Sequence, residues 1–129
     1  AHLITAIDGA SSNYKGTVVS YDNEMKTQIL KVSPETLRSV GAVSEDVVKE
    51  MVEGALLVMN TDYAVAVSGI MGPEGGTPEK PVGTVWIAAG NSDKVVAQKF
   101  QFKFDRQRNI EMTAVTALNL LRKFIVENG

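Results

Sequence analysis

Tyrosine, asparagine and lysine side chains with the chemistry of an acid–base site follow the first apolar run of the chain. They are Tyr21, Asn23 and Lys26. A lysine can act as a general base when burial or a nearby cation lowers its pKa. An exposed lysine is a solvated cation, and the pattern alone leaves both interpretations of Lys26 open. Tyr21 can equally be a packing residue at the end of a strand.

A glycine- and proline-rich stretch, residues 68–83, lies between two other apolar runs. Glycine lets successive backbone N–H groups turn toward a ligand, and turned amides form anion-binding concavities. The stretch matches neither phosphate-loop pattern, so it predicts a ligand-binding loop without naming the ligand; the alternative is a mobile hairpin-like connection. Its candidate ligand-binding residues are Ser68, Gly69, Gly72, Gly75, Gly76 and Thr77.

Two arginines at the start of the last predicted helix are candidates for holding a phosphate. Guanidinium groups bind phosphate oxygens bidentately, and Arg106 and Arg108 are two residues apart. A pairing of Arg106 with Asp105 is the alternative, and such an exposed ion pair contributes little. Taken together, the hydroxyl groups, the lysine, the two arginines and the glycine-rich loop indicate a site for a phosphorylated ligand.

Composition excludes several classes of site. The chain has no cysteine and one histidine, His2, so it offers neither a thiol, nor a multi-histidine metal site, nor a Ser-His-Asp triad. We expect no metal and no cofactor. The net charge of -2 and pI near 5.4 give no basic patch for nucleic acid, and no apolar run is long enough to span a membrane. We expect a cytoplasmic protein with a small-molecule partner.

The predicted elements place these residues on an α/β scaffold. Short apolar runs predict strands at 14–21, 63–67, 84–88 and 95–104, and apolar periodicity with capping residues predicts helices at 23–30, 34–40, 45–59 and 106–126. We expect a three-layer α/β/α sandwich with a mixed, mostly parallel sheet, its last two strands antiparallel across a tight turn. The buried stripe of the last helix is predicted as Ile110, Ala114, Ala117, Leu118, Leu121 and Ile125. Ligands of such sheets bind at the carboxyl ends of parallel strands, which here carry Tyr21 and Ser68.

Several stretches, in order along nearly the whole chain, resemble the C-terminal domain of the competence/damage-inducible protein CinA. The resemblance is carried by GASS, GTVVSYDNEMK, GAVSE, VSGIMGP, GGTPEKPVG and FDRQR, in residues 9–12, 16–26, 41–45, 67–73, 75–83 and 104–108. Stand-alone members of this family are nicotinamide-nucleotide amidases. The resemblance implies hydrolysis of nicotinamide mononucleotide to nicotinate mononucleotide and ammonia, a metal-free three-layer fold and a homodimer.

The resemblance also implies roles for individual residues. Ser11 and Tyr21 match pocket positions, and Lys26 matches the lysine that assists a serine nucleophile. Ser68 stands where the family usually has a threonine, so a hydroxyl is kept. Arg106 and Arg108 match the arginine motif expected to hold the phosphate.

One departure from the family concerns the nucleophile. Its serine lies in an AESCTGG-type motif at the start of a helix, and residues 1–7 look like the last turns of that helix without an N-cap. We therefore expect a single domain over 1–129 that lacks this motif, with the serine upstream of Ala1; a naturally shortened relative of the family is the other explanation. The alternatives are a non-catalytic nucleotide-binding module and a competence-related interaction module.

Overall fold

The computed structural model describes residues 1–129. A short α1 and a 3-10 turn at Ala10–Ser12 precede four further helices and three strands. The elements are α1 His2–Thr5, α2 Asn23–Gln28, α3 Pro34–Val40, α4 Glu45–Met59, β1 Ala64–Gly69, β2 Thr84–Gly90, β3 Val95–Gln101 and α5 Arg106–Asn128. No helix has both the length and the apolar character needed to cross a bilayer.

Side-chain caps set where α2, α3, α4 and α5 begin. Asp22, Ser33, Ser44 and Asp105 each accept a hydrogen bond from a backbone N–H in the first turn. Such a cap satisfies one of the N–H groups that a helix start leaves without a partner, and it contributes about 1 kcal/mol. These starts agree with the predicted helix boundaries to within a residue.

The sheet is antiparallel throughout, with strand order β1-β2-β3. Residues of β1 pair with β2 from Ala64 opposite Gly90 to Gly69 opposite Val85. The predicted antiparallel pairing of the last two strands is confirmed, with Gly90 opposite Val95 at the turn. In that turn the side chain of Asn91 accepts from the N–H groups of Asp93 and Lys94.

Helices cover both faces of this sheet. On one face, the larger apolar cluster joins Val48 and Val52 of α4 to Ala66 and Ala88. On the other face, Val85 and Ile87 of β2 pack against Ala117 of α5. Because successive side chains of a strand point to opposite faces, a continuous apolar strand such as β2 supplies both clusters.

The expected mixed, mostly parallel sheet is wrong. Its parallel character depended on a strand at 14–21, and residues 15–21, the unpaired segment, make no backbone–backbone hydrogen bond. The alternating burial of a strand is present: Val18 packs against the larger cluster, whereas Val19 is 80% exposed. The composition of this segment favours an extended chain. A β-strand also needs a neighbouring strand at hydrogen-bonding distance, which composition does not supply. The remaining strands are all joined antiparallel.

The predicted buried stripe of α5 is also partly wrong. Ala117 is buried as expected, but Ile110 is 42% exposed and Ile125 is exposed as well. The residues that α5 buries are Asn109, Thr113, Ala117 and Phe124. The buried face of the helix is more polar than expected. Asn109 donates to the Met71 carbonyl after β1, and Thr113 donates to the Asn109 carbonyl within the helix, and an apolar pattern predicts neither bond.

Candidate functional site

Lys26 is a buried amine on the first turns of α2. The capping bond from Met25 N–H to Asp22 fixes the start of this short helix, and Lys26 follows one residue later. The residue is only 7% exposed. Its Nζ donates to the carbonyl oxygen of Ser20 at 2.8 Å, so the amine is held at the end of the unpaired segment. The alternative of a solvated helix lysine is therefore excluded.

Burial changes the acid–base behaviour of this amine. Desolvation lowers the pKa of Lys26 below its ordinary value of 10.5, while the negative charge of Asp22 opposes the shift. Removing water disfavours the charged form of an amine, so the neutral form that can accept a proton becomes easier to reach. The hydrogen bond to Ser20 is the only one that Nζ makes within the chain, which leaves its other N–H groups for a further partner.

Three other predicted residues near this end of the chain are exposed. Tyr21 is 83% exposed and its hydroxyl makes no hydrogen bond within the chain, because the alternation that buries Ser20 turns Tyr21 outward. Asn23 is exposed at the first position of α2, and Ser11 is exposed in the 3-10 turn. The roles of Tyr21, Asn23 and Ser11 stay predictions.

At the end of β1, Ser68 is buried and Gly69 is closely packed. Ser68 pairs with Trp86 in the sheet, and its hydroxyl makes no hydrogen bond within the chain. A Cβ added to Gly69 would lie 2.7 Å from a methyl of Val85 and 2.8 Å from that of Met71. A Cβ at this position would therefore have to displace both side chains.

The loop that joins β1 and β2, the 70–83 loop, is anchored along both legs. At its base, Gly83 N–H donates to the Ile70 carbonyl at 2.7 Å. Gln101 Nε2 of β3 donates to the Val82 carbonyl at 2.9 Å. Lys80 Nζ donates to the carbonyl of Val40, the last residue of α3, at 2.6 Å. The loop is therefore ordered by specific contacts, and the alternative of a mobile connection is not supported.

At the tip of the 70–83 loop, three backbone N–H groups have no hydrogen-bond acceptor within the chain. The N–H groups of Glu74, Gly75 and Gly76 make no hydrogen bond, and all three residues are exposed. Thr77 differs, because its N–H and hydroxyl close a turn with Lys80. Unpaired amides on adjacent glycines can receive an anion. Thr77 supports the turn, and the ligand-binding roles of Gly75, Gly76 and Thr77 stay predictions.

The start of α5 brings Arg106 to the first leg of the loop. Arg106 Nη1 donates to the carbonyl of Gly72 at 2.8 Å, and the residue is otherwise exposed. Arg108 lies over the ring of Phe104, 4.8 Å from its centroid. Asp105 caps α5 through Arg108 N–H and forms no ion pair with Arg106. Both guanidinium groups keep nitrogen atoms free for an anion.

Hydrogen bonds bring some of the predicted residues together in two groups, and they do not bring Ser11, Tyr21, Asn23 or Arg108 into either. One contains Lys26 with Ser20 and Asp22, and the other contains the 70–83 loop with Arg106. No hydrogen bond or ion pair joins the two groups directly. No cluster of three or more histidine, aspartate or glutamate side chains is placed to hold a metal ion.

Sequence reasoning missed three residues that shape this site: Asn109, Lys80 and Gln101. Each is a polar side chain that donates to a carbonyl of the loop or of the adjoining helix end. Only Asn109 carried a usable signal. It begins a series of small or polar residues spaced four apart, with Thr113 and Ala117, on one face of α5.

Comparison with known proteins gives the same assignment along the whole chain. Residues 1–125 match the family model of the CinA C-terminal domain. A CinA-like protein of Cytophaga hutchinsonii is 48% identical over 127 residues, which is 98% of this chain and 30% of that protein. A CinA-like protein of Thermosipho melanesiensis is 46% identical over 122 residues, 93% of this chain and again 30% of that protein. The chain thus spans about a third of the length of these relatives.

Two solved structures share the fold. The competence/damage inducible protein CihA of Agrobacterium tumefaciens is 37% identical with a TM-score of 0.91, covering 95% of this chain and 78% of that one. The competence damage-inducible protein A (ComA) of Klebsiella pneumoniae is 33% identical with a TM-score of 0.93, covering 98% and 78%. The order of motifs, the fold and these matches agree: the chain belongs to the CinA C-terminal domain family.

Proposed function

We propose that this chain carries the acid–base and substrate-binding groups of a nicotinamide-nucleotide amidase, which hydrolyses nicotinamide mononucleotide to nicotinate mononucleotide and ammonia. The observation that carries the proposal is the buried amine of Lys26, whose pKa is lowered by desolvation and whose Nζ has one partner within the chain. Perturbed titratable groups of this kind concentrate at functional sites. The substrate class is the one that the resemblance to the CinA C-terminal domain family implies.

In the proposed reaction Lys26 moves the proton. The neutral amine accepts the proton of an attacking serine hydroxyl, and the resulting ammonium returns it to the departing amide nitrogen, which leaves as ammonia. Water then attacks the acyl-enzyme ester, releases the carboxylate of nicotinate mononucleotide and regenerates the hydroxyl. The resemblance assigns the attacking oxygen to the family's serine motif. In its neutral form the Lys26 amine donates to the Ser20 carbonyl and keeps the nitrogen lone pair to accept the hydroxyl proton.

The phosphate of the nucleotide is assigned to the second group of residues. The unpaired N–H groups of Gly75 and Gly76 provide hydrogen-bond donors, and Arg106 and Arg108 provide charge. These groups bind the part of the substrate that does not react, so their removal should weaken binding more than it slows the chemical step.

The second candidate is a nucleotide-binding module without catalysis. The observation that favours it is that no hydroxyl of this chain is hydrogen-bonded to Lys26 Nζ, whose partner is a backbone carbonyl. Such a protein would bind the nucleotide through the same loop and release no ammonia. Turnover therefore separates the two candidates.

The test is ammonia release from nicotinamide mononucleotide by the product of the full open reading frame, for wild type, Lys26→Met and Lys31→Met. Lys31 is an exposed lysine that follows the same helix, and its Nζ contacts only the carbonyl of Gln28, so it is a matched control. We expect Lys26→Met to lower kcat by at least ~100-fold, the usual scale for a general base. The nucleotide should still bind, and Lys31→Met should behave as wild type.

Two outcomes would contradict the proposal. Normal turnover by Lys26→Met would remove the lysine from the mechanism. Binding of the nucleotide without ammonia release by the wild-type protein would favour the binding module.

A further inference from the structure

Asn109 is a fully buried polar residue on the first turns of α5, with 0% exposure. Both polar atoms of its side chain are used. Its Nδ2 donates to the carbonyl of Met71 at 2.9 Å, and its Oδ1 accepts from the N–H of Phe104 at 3.2 Å. A buried amide is costly unless both ends are paired, so this placement depends on the loop as well as on the helix.

The two hydrogen bonds of this side chain reach different parts of the molecule. Oδ1 accepts from the N–H of Phe104, the residue before the capping Asp105, and so belongs to the start of α5. Nδ2 instead makes a bond across 38 residues of sequence to the first leg of the 70–83 loop. Through Nδ2 the side chain therefore acts on the loop.

Two successive carbonyls of that leg are held by α5. Asn109 holds the Met71 carbonyl, and Arg106 holds the Gly72 carbonyl at 2.8 Å. The unpaired N–H groups of Gly75 and Gly76 follow shortly after these anchors. Because glycines have wide conformational freedom, the direction of those N–H groups depends on where the preceding leg is fixed.

We propose that Asn109 is a positioning residue: it fixes the first leg of the 70–83 loop so that the tip amides point together at the phosphate of the nucleotide. The inference rests on the proposed function for the identity of the ligand. Asn109 does not touch the ligand, since it is enclosed between α5 and Met71. It acts by lowering the conformational entropy that the tip would otherwise lose on binding.

Two variants distinguish the effects of the two hydrogen bonds that the Asn109 side chain makes. Asn109→Leu has a similar size and loses both, whereas Asn109→Asp keeps the acceptor for Phe104 N–H and loses the donor to the Met71 carbonyl. Phe124→Leu is the control for stability, because Phe124 is buried on the same face of α5 and packs against Tyr63 away from the loop. The thermal midpoint of each variant shows that it is folded.

The experiment measures kcat and KM for nicotinamide mononucleotide together with tip exchange, which is the amide hydrogen exchange of Thr77, whose N–H is hydrogen-bonded to the Lys80 carbonyl and therefore has protection to lose. Both are measured on the product of the full open reading frame. We expect both Asn109 variants to raise KM and tip exchange about tenfold, the size of one lost buried hydrogen bond, with kcat within about threefold of wild type. Phe124→Leu should lower the thermal midpoint and change neither quantity.

The proposal is overturned if tip exchange in both variants stays at the wild-type rate, or if it accelerates with no rise in KM. A kcat loss equal to the KM effect would place Asn109 in the chemical step instead. If wild type binds the nucleotide without turnover, the dissociation constant replaces KM and the same comparison holds. If wild type neither binds nor turns over, the proposed function fails, and the exchange rates alone decide whether Asn109 positions the tip.

Discussion

The unpaired segment and the 70–83 loop each differ from what their composition predicts. The first has the composition of a paired strand, and the second has that of a mobile loop. The unpaired segment is rich in β-branched and aromatic residues, yet residues 15–21 make no backbone–backbone hydrogen bond. The loop is rich in glycine and proline and contains no helix or strand, yet side chains from β3 and α5 and its own Lys80 anchor it. In these two segments, backbone anchoring follows from tertiary hydrogen bonds more than from local preference.

The difference also separates two ways of making a site. Near the unpaired segment, chemistry depends on burial: Ser20 and Lys26 face inward and share one hydrogen bond. At the loop, binding depends on the position of the backbone, because the exposed amides of the tip are placed by the hydrogen bonds that anchor the rest of the loop. Substitutions that alter burial should affect the first site, and substitutions that alter backbone position should affect the second.

The largest expected difference between the two regions is in the effect of replacing a glycine with alanine. Gly83 has φ +92°, and an added Cβ would lie 1.8 Å from the Phe102 carbonyl oxygen, whereas a Cβ on Gly16 would meet only Met59 Sδ at 3.9 Å. We expect Gly83→Ala to lower the free energy of unfolding by about 2 to 5 kcal/mol. Gly16→Ala should stay within about 1 kcal/mol of wild type. Chemical denaturation measures both, and equal losses would contradict the difference in anchoring.

The two arginines provide a smaller test at the loop. Arg106 holds the Gly72 carbonyl, while Arg108 lies over Phe104 and its side chain makes no hydrogen bond to the loop. We expect both alanine variants to raise KM for the nucleotide by about tenfold, since each loses a charged contact. Only Arg106→Ala should also accelerate hydrogen exchange of Thr77, the hydrogen-bonded amide of the loop tip. Faster exchange in Arg108→Ala, or none in Arg106→Ala, would show that the anchor is misassigned.

Much of the fold could be predicted because its signals are local. Ser33, Ser44 and Asp105 precede apolar periodic runs, and each caps the helix that follows it. The short turn at Asn91 likewise predicts an antiparallel pair, and β2 and β3 form one. These features need only a few neighbouring residues to be specified.

The remainder depends on contacts that are distant in sequence. Whether Val18 lies in a ladder depends on a neighbouring strand, and whether Asn109 is buried depends on the Met71 carbonyl. Similarly, the pattern placed Lys26 on a helix but left its burial open, and the hydrogen bond to Ser20 decides it. In each case the contact partner is distant in sequence, so a pattern of neighbouring residues cannot identify it.

The most direct test of the central claim is the titration of the Lys26 amine, followed by NMR in wild type and in Asp22→Asn, which keeps a capping side chain. Desolvation lowers the pKa of Lys26 and Asp22 opposes it, so the amine becomes a neutral base as pH rises through a midpoint below 10.5. We expect that midpoint in wild type, a still lower one in Asp22→Asn, and turnover that rises over the same pH range. A midpoint at or above 10.5 would contradict the assignment of Lys26 as the base.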